Sequence, residues 1–363
     1  MGGDFHWVAT EPSGAGRDIL PADAVLFGNG RQALYAVLME GRRRFGWRVC
    51  HLPAYICQSV VQAARAADME CRYYRALPAA DESPDWPPFQ SRHEVLLSAN
   101  VLGFSGLDLV PPDWPNENRI EDHTHDPWSR AACESRAGYC LVSLRKTLPT
   151  PDGGAAWSPL GLPCPSPEAL IPGHAAAGQE KLAAMLLKRH YLSGMAVEKE
   201  EFRAWQIQSE AAMSIQPTSR PLPVTASMLP HLPWRRWRVE RARNAEYLTD
   251  RLLGSLTAPA LEPDRREVLP PPTPRRFPEQ CPFAVVLLCR NRRERDRLRE
   301  ALIQRRVYPP IFWPLPEEAA RRHPEAADFA ARMLALPCDF RYTPEDLEEA
   351  AEVIREFFQT EAG

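Results

Sequence analysis

Short apolar runs separated by helical patterns dominate the chain between Arg48 and Trp157, and this alternation constrains the fold more than any other feature. Arg48–Pro53, Met69–Tyr74, Glu94–Asn100, Arg119–Asp122, Tyr139–Leu144 and Ala155–Trp157 read as strands. Around them, Leu34, Val37 and Leu38 share one helical face, as do Val60, Val61, Ala64 and Ala67. A parallel strand neighbour needs a crossover, and crossing helices cover both faces of the sheet. The expected class is therefore α/β, a mainly parallel sheet between helices. Ligands of such sheets sit beyond the carboxyl ends of the strands. Three features fall at those ends: Tyr55–Cys57, Asp122–Asp126 and Lys146.

Lys146 stands out by composition as well as by place. Lysine and arginine together number 44, yet just four are lysine: Lys146, Lys181, Lys188 and Lys199. The last three fall in a polar helical pattern that predicts solvated side chains. An amine loses its proton readily when buried and forms Schiff bases with carbonyls, and a guanidinium does neither. By itself the stretch Gly138–Gly154 allows two readings, a lysine that caps a strand or pairs with a carboxylate, and a reactive amine.

Length predicts two packed units in a chain of 363 residues, a large α/β unit over 1–228 and a smaller α+β unit over 229–363. The net charge of -3 gives no reason to expect nucleic acid or an anionic membrane as a partner. No apolar run reaches the ~20 residues of a membrane span. The nine cysteines are scattered and contain no Cys-x-x-Cys pair, which fits a reducing cytoplasm and argues against a disulfide framework or a zinc ribbon. Met-Gly-Gly-Asp-Phe-His lacks the basic-then-apolar order of a signal peptide, so a cytoplasmic location is expected. The 38 prolines cluster in connections such as Pro84–Pro88, Pro111–Pro115 and Pro270–Pro274, which read as stiffened loops.

Residues 1–24 read as an irregular arm, and 175–213 as one or two amphipathic helices. Residues 235–253 form a long basic helix, in which Glu240, Glu246 and Asp250 favour a solvated face over nucleic-acid binding. A buried strand, Phe283–Leu288, a charged helix, Arg290–Val307, and a final helix, Pro344–Phe358, complete the second half.

The polar features permit several chemistries. Asp122-His-Thr-His-Asp126 is a metal site if its histidines and aspartates converge, or a plain hydrogen-bonded loop if they do not. Phe27-Gly-Asn-Gly-Arg-Gln-Ala-Leu34 opens a helix with glycines, where free amides favour a phosphate, or is a plain turn. A third reading joins both to Lys146. An aspartate and a Schiff-base lysine at neighbouring strand ends, with a glycine-rich helix start, make a pyridoxal phosphate (PLP) site.

Five segments, in order, resemble the fold-type I PLP enzymes of the sugar-aminotransferase (DegT/StrS) family, as a divergent branch. Phe27–Leu34 is similar to the family's SGTxAL turn, Leu52-Pro-Ala-Tyr-Ile-Cys57 to its P-x-x-T-F segment, and Arg119-Ile-Glu-Asp-His-Thr-His125 to its V-I-E-D-x-A-Q strand end. Ser143-Leu-Arg-Lys146 with Asp152-Gly-Gly154 resembles its lysine strand, and Met333–Asp346 its C-terminal LPLHxxLSxED helix start. The resemblance implies that Lys146 is the Schiff-base lysine and Asp122 the partner of the ring nitrogen. It places the amides of Gly30, Arg31 and Gln32, with Ser143, at the phosphate. His125 takes the place of the glutamine that hydrogen-bonds the ring hydroxyl. The ring-stacking position falls at Cys57, with Tyr55 on the same strand face as the alternative. Lys146 follows Ser143 more closely than the family's spacing.

What the resemblance implies as a whole is a fold-type I PLP transferase, a homodimer with no metal. It would move an amino group from an amino acid, glutamate foremost, to a keto substrate such as a nucleotide-linked ketosugar. The setting would be polysaccharide or natural-product biosynthesis. PLP-dependent elimination, dehydration or other carbanion chemistry is the alternative within the cofactor class. A non-catalytic or metal-binding protein on the same fold is the alternative outside it.

Overall fold

The computed structural model describes residues 1–9, 18–78, 83–103, 111, 113–253, 266–269 and 281–362. Seven strands build the main sheet: β1 (Val25–Phe27), β2 (Val49–Pro53), β3 (Glu70–Tyr74), β4 (Glu94–Ala99), β5 (Arg119–Asp122), β6 (Tyr139–Ser143) and β7 (Gly154–Trp157). Their spatial order is β1-β7-β6-β5-β4-β2-β3. The run from β3 to β6 is parallel, while β7 and β1 are antiparallel additions at one edge. The sheet is thus mixed and mainly parallel, as the alternation of runs predicts. Its register aligns the carboxyl ends of β4 and β5, because Ala99 pairs with Asp122, and β6 runs on past Leu141, the partner of Asp122, to Ser143.

Burial on both faces explains why the central strands read as unbroken apolar runs. On one face Leu34, Val37 and Leu38 of the helix Gly30–Phe45 share a core with Val61 and Ala64 of the helix Gln58–Ala66 and with Leu97 and Ile120 of the sheet. On the other, Cys140, Val142, Ala155 and Trp157 pack against Leu232, Trp234 and Trp237.

A second sheet holds β8 (Glu267–Leu269), β9 (Ala284–Leu288) and β10 (Met333–Pro337), antiparallel in the order β10-β9-β8. Strand alternation divides β9 between two cores. Ala284, Val286 and Leu288 join the core of the main sheet, while Val285 and Leu287 join Leu298, Leu302, Leu347 and Ile354 from the helices Arg292–Gln304 and Pro344–Ala362. The expected basic helix is present over Trp234–Leu253, but its arginines are not all solvated, since Arg238 and Arg241 are buried. Pro270–Pro274, read above as a stiffened loop, lies outside the described residues.

The first residues form no helix, as expected, yet they do not hang free. Gly2 bridges to Tyr308, and Arg341 donates to the carbonyls of Gly2, Gly3 and Asp4 at 3.0, 3.2 and 2.7 Å. Phe5 stacks on Phe340, and the Trp7 amide donates to Met185 O at 3.0 Å. This strap ties the C-terminal segment to the helix Pro172–Leu192. All nine cysteines are free thiols. Among the described residues, no helix is long and apolar enough to cross a membrane.

Candidate active site

A cleft of about 1670 Å³ opens near the carboxyl end of β6, between the main sheet, the strap and the C-terminal segment. Lys146 and Cys57 line it, together with Arg145, Glu210, Phe283 and Trp313. Lys146 ends a short 3-10 turn, Leu144–Lys146, that follows β6 directly, and its side chain is exposed. The strand end therefore presents the amine to the cleft and does not bury it.

The other predicted residues lie outside the cleft lining. The helix Gly30–Phe45 begins at Asn29, whose side chain accepts from the Gln32 amide at 3.0 Å. That amide is already engaged, and the Gln32 side chain is spent on Ser214 O, Pro217 O and the Ser219 amide. Gln32 therefore secures the helix start, and the amides of Gly30 and Arg31 remain as phosphate candidates. Ser143 stands against this helix start. A Cβ on Gly30 would lie 2.8 Å from that of Ser143, and a Cβ on Gly154 would lie 2.4 Å from the Asn29 carbonyl carbon. Glycine is needed at both positions because two backbones approach there. Asp152 supports the turn from below, accepting from His174 Nε2 at 2.9 Å, from the Leu222 amide at 2.8 Å and from the Thr225 hydroxyl.

Asp122 closes β5 and accepts from the Thr124 amide at 2.9 Å, while Thr124 Oγ1 accepts from the Ser143 amide at 2.9 Å. Burial pushes the Asp122 carboxyl up, against the opposing Thr124 hydrogen bonds. His125 Nδ1 accepts from the Leu102 amide at 2.9 Å, which assigns the proton of a neutral ring to Nε2. Burial holds the imidazole down at about 3, helped by Lys146 and Arg241. Phe283 stacks on His125 at 4.3 Å, with Trp313 at 5.9 Å and an interplanar angle of 11°.

Tyr55 does not reach the cleft, which corrects its assignment as a stacking ring. It is fully buried, its hydroxyl donates to Phe312 O, and its ring contacts Phe329 and Trp313 at 4.8 and 5.5 Å. Strand β2 ends at Pro53, so the alternation that put Tyr55 and Cys57 on one face does not extend to them. Phe283, Phe312 and Trp313 are among the aromatic residues that line the cleft.

The loop Asp122–Asp126 does not gather into a metal site. His123 Nε2 meets Glu121 at 3.1 Å, whereas His125 meets Leu102, and Asp126 pairs with Arg238. The ligand atoms of Glu121, His123 and Cys140 do lie within 4.8 Å of one another, and the Arg119 guanidinium stands 3.7 Å from Glu121.

Sequence reasoning missed the cleft's charge. Lys181 and Lys188, expected in solvent, line the cleft, and Lys181 is buried. Lys181 faces the Asp4 carboxylate at 3.8 Å, and Lys188 donates to the Asp4 carbonyl at 2.5 Å. Burial lowers Lys188 to about 8, with Arg341 acting in the same direction. Arg145 pairs with Glu210 at 2.6 and 3.2 Å, and Arg31 lies 3.7 Å from the same carboxylate.

No protein-family model matches the chain, and no curated sequence matches it. Solved structures do. The aminotransferase TlmJ from Streptoalloteichus hindustanus is similar at 17% identity and a TM-score of 0.59, over 94% of this chain and 87% of that one. The sugar aminotransferase CalS13 from Micromonospora echinospora is similar at 14% identity and a TM-score of 0.59, over 98% of this chain and 99% of that one. The putative sugar aminotransferase Spr1654 from Streptococcus pneumoniae in its PLP form is similar at 13% identity and a TM-score of 0.59, over 98% and 93%. The chain has the fold of these proteins, the fold-type I transferase architecture expected from its sequence.

Proposed function

We propose that the chain is a PLP-dependent aminotransferase. One observation carries this reading. Asp122 and Lys146 stand at the ends of two adjacent parallel strands, beside the glycine-tight helix start at Gly30, in the fold of known sugar aminotransferases.

The residues present fit the cofactor. Asp122 is a half-buried carboxyl whose charge favours a cationic partner, and a protonated ring nitrogen is one. His125 keeps a hydrogen on Nε2 for a ring hydroxyl. Ser143, with the amides of Gly30 and Arg31, would take the phosphate. Lys146 would hold the aldehyde carbon. When bound, the cofactor supplies an electron sink for the carbanion of an amino-acid substrate.

Lys146 Nζ, exposed to the cleft, takes the proton from the donor's Cα. His125, neutral across the physiological range, donates without competing for that proton. Phe283, Phe312 and Trp313 exclude water from one side of the cleft. The cationic lining at Lys181 and Lys188 suits anionic substrates, a glutamate donor and a nucleotide-linked ketosugar acceptor. A homodimer is part of this reading. Leu192, Met195, Trp205 and Ile207 leave apolar surface exposed on and between the helices Pro172–Leu192 and Lys199–Ala212.

The test is the near-ultraviolet and visible absorbance of protein loaded with PLP, beside Lys146→Ala. An absorption band present in the wild type, lost in the variant and shifted by glutamate is the expected result. A wild type that takes up no PLP overturns the reading.

A further inference from the structure

We infer that Arg31 and Arg145 form a guanidinium clamp for the cofactor's phosphate, and that Glu210 is the internal counter-anion the phosphate replaces. The inference rests on the cofactor reading above and adds side chains to its phosphate site.

Two arginines from separate elements converge on one carboxylate. Arg31 belongs to the first turn of the helix Gly30–Phe45, and Arg145 directly precedes Lys146. Glu210 lies in the last turn of the helix Lys199–Ala212. Its oxygens meet Arg145 at 2.6 and 3.2 Å and Arg31 at 3.7 Å.

The carboxylate leaves this site unsatisfied. The Arg145 side chain is 9% exposed, and its Nε is buried without a hydrogen-bond partner among the described residues. The Arg31 Nη2 is buried and unbonded in the same sense. Two guanidinium forks offer more N–H donors than one carboxylate accepts. A phosphate monoester has three terminal oxygens and nearly two negative charges, so it matches the donor count and the charge of the pair.

The site also strains toward an anion. Burial pushes the Glu210 carboxyl up, but Arg145, Lys146 and Arg31 outweigh it and hold the group well below the usual carboxylate range. Glu210 nevertheless remains 45% exposed on the cleft rim, so it can withdraw into water while the two arginines cannot. An anion delivered at the helix start meets two fixed cations and one movable competitor.

The test compares dissociation constants, by equilibrium dialysis, for PLP, pyridoxal and inorganic phosphate. Wild type, Arg31→Gln and Glu210→Gln are the proteins used. Arg31→Gln should weaken PLP about ten-fold or more and leave pyridoxal, which lacks the phosphate, within about two-fold. Glu210→Gln should tighten both PLP and inorganic phosphate several-fold. Equal losses of PLP and pyridoxal in Arg31→Gln overturn the clamp, and so does unchanged or weaker phosphate binding in Glu210→Gln. Should the wild type bind no PLP, the cofactor reading falls, and the phosphate arm of Glu210→Gln alone judges the clamp.

Discussion

Arg238 and Asp126 form a buried two-point pair, Nε to Oδ1 at 2.9 Å and Nη2 to Oδ2 at 2.8 Å. Through it the helix Trp234–Leu253 holds the loop that follows Asp122. Arg241 reinforces the hold, 3.7 Å from Asp126 and donating to His125 O at 3.3 Å. Removing the guanidinium would leave Asp126, fully buried, without its main partner. Arg238→Met should cost about 3–5 kcal/mol of stability. A urea midpoint that barely moves would show that the pair does not anchor the loop.

The close approach at the helix start predicts a coupled pair. Gly30→Ala would place a methyl 2.8 Å from Ser143 Cβ and should cost about 1–3 kcal/mol. Ser143→Gly removes the obstructing Cβ and should recover part of that loss in the double variant. Strict additivity in a double-mutant cycle would contradict the packing described.

His125 predicts a pH dependence with a definite sign. Its folded value, about 3, lies below the ordinary 6.5 because burial disfavours the imidazolium. Between those values the unfolded chain binds a proton that the folded chain refuses. Stability is therefore lost as pH falls through that window, by about 1.4 kcal/mol per pH unit for one proton. His125→Gln should flatten the slope of unfolding free energy between about pH 6 and pH 4. His6, also lowered by burial, to about 4, contributes in the same direction and remains in the variant.

Tyr55 offers a test of core against cleft. Its hydroxyl satisfies the Phe312 carbonyl, so Tyr55→Phe should cost about 1–3 kcal/mol. The absorbance of the PLP-loaded protein should not change. A spectral shift with unaltered stability would return Tyr55 to the cofactor.

The sheet was legible because burial on both faces leaves an apolar run wherever a central strand passes, as at Leu96, Ile120 and Leu141. Strand-end chemistry followed from that, since Asp122 and Lys146 are marked by where the runs stop. The misses have physical causes. The placement of Tyr55 used strand alternation beyond the last strand residue, Pro53. Lys181 looked solvated because its partner, Asp4, lies in a strap with no periodicity to announce it. Arg238 and Arg241, three apart on one helical face with Trp234 and Trp237, carried a signal of burial that overall helix charge obscured. Glu210 gave no local sign, because its role arises from two arginines brought together by the fold.

The strap also bears on the order in which the molecule is made. Gly2, Gly3 and Asp4 are held by Arg341, and Gly2 also by Tyr342, a residue the ribosome adds 340 positions after Gly2. The main sheet, complete at Trp157, can assemble while the chain is still growing. One wall of the cleft cannot, because residues 2–4 must wait for Arg341. The nascent chain thus carries an open cleft until Arg341 has been made, and a chain truncated before Arg341 would keep the sheet but never close that wall.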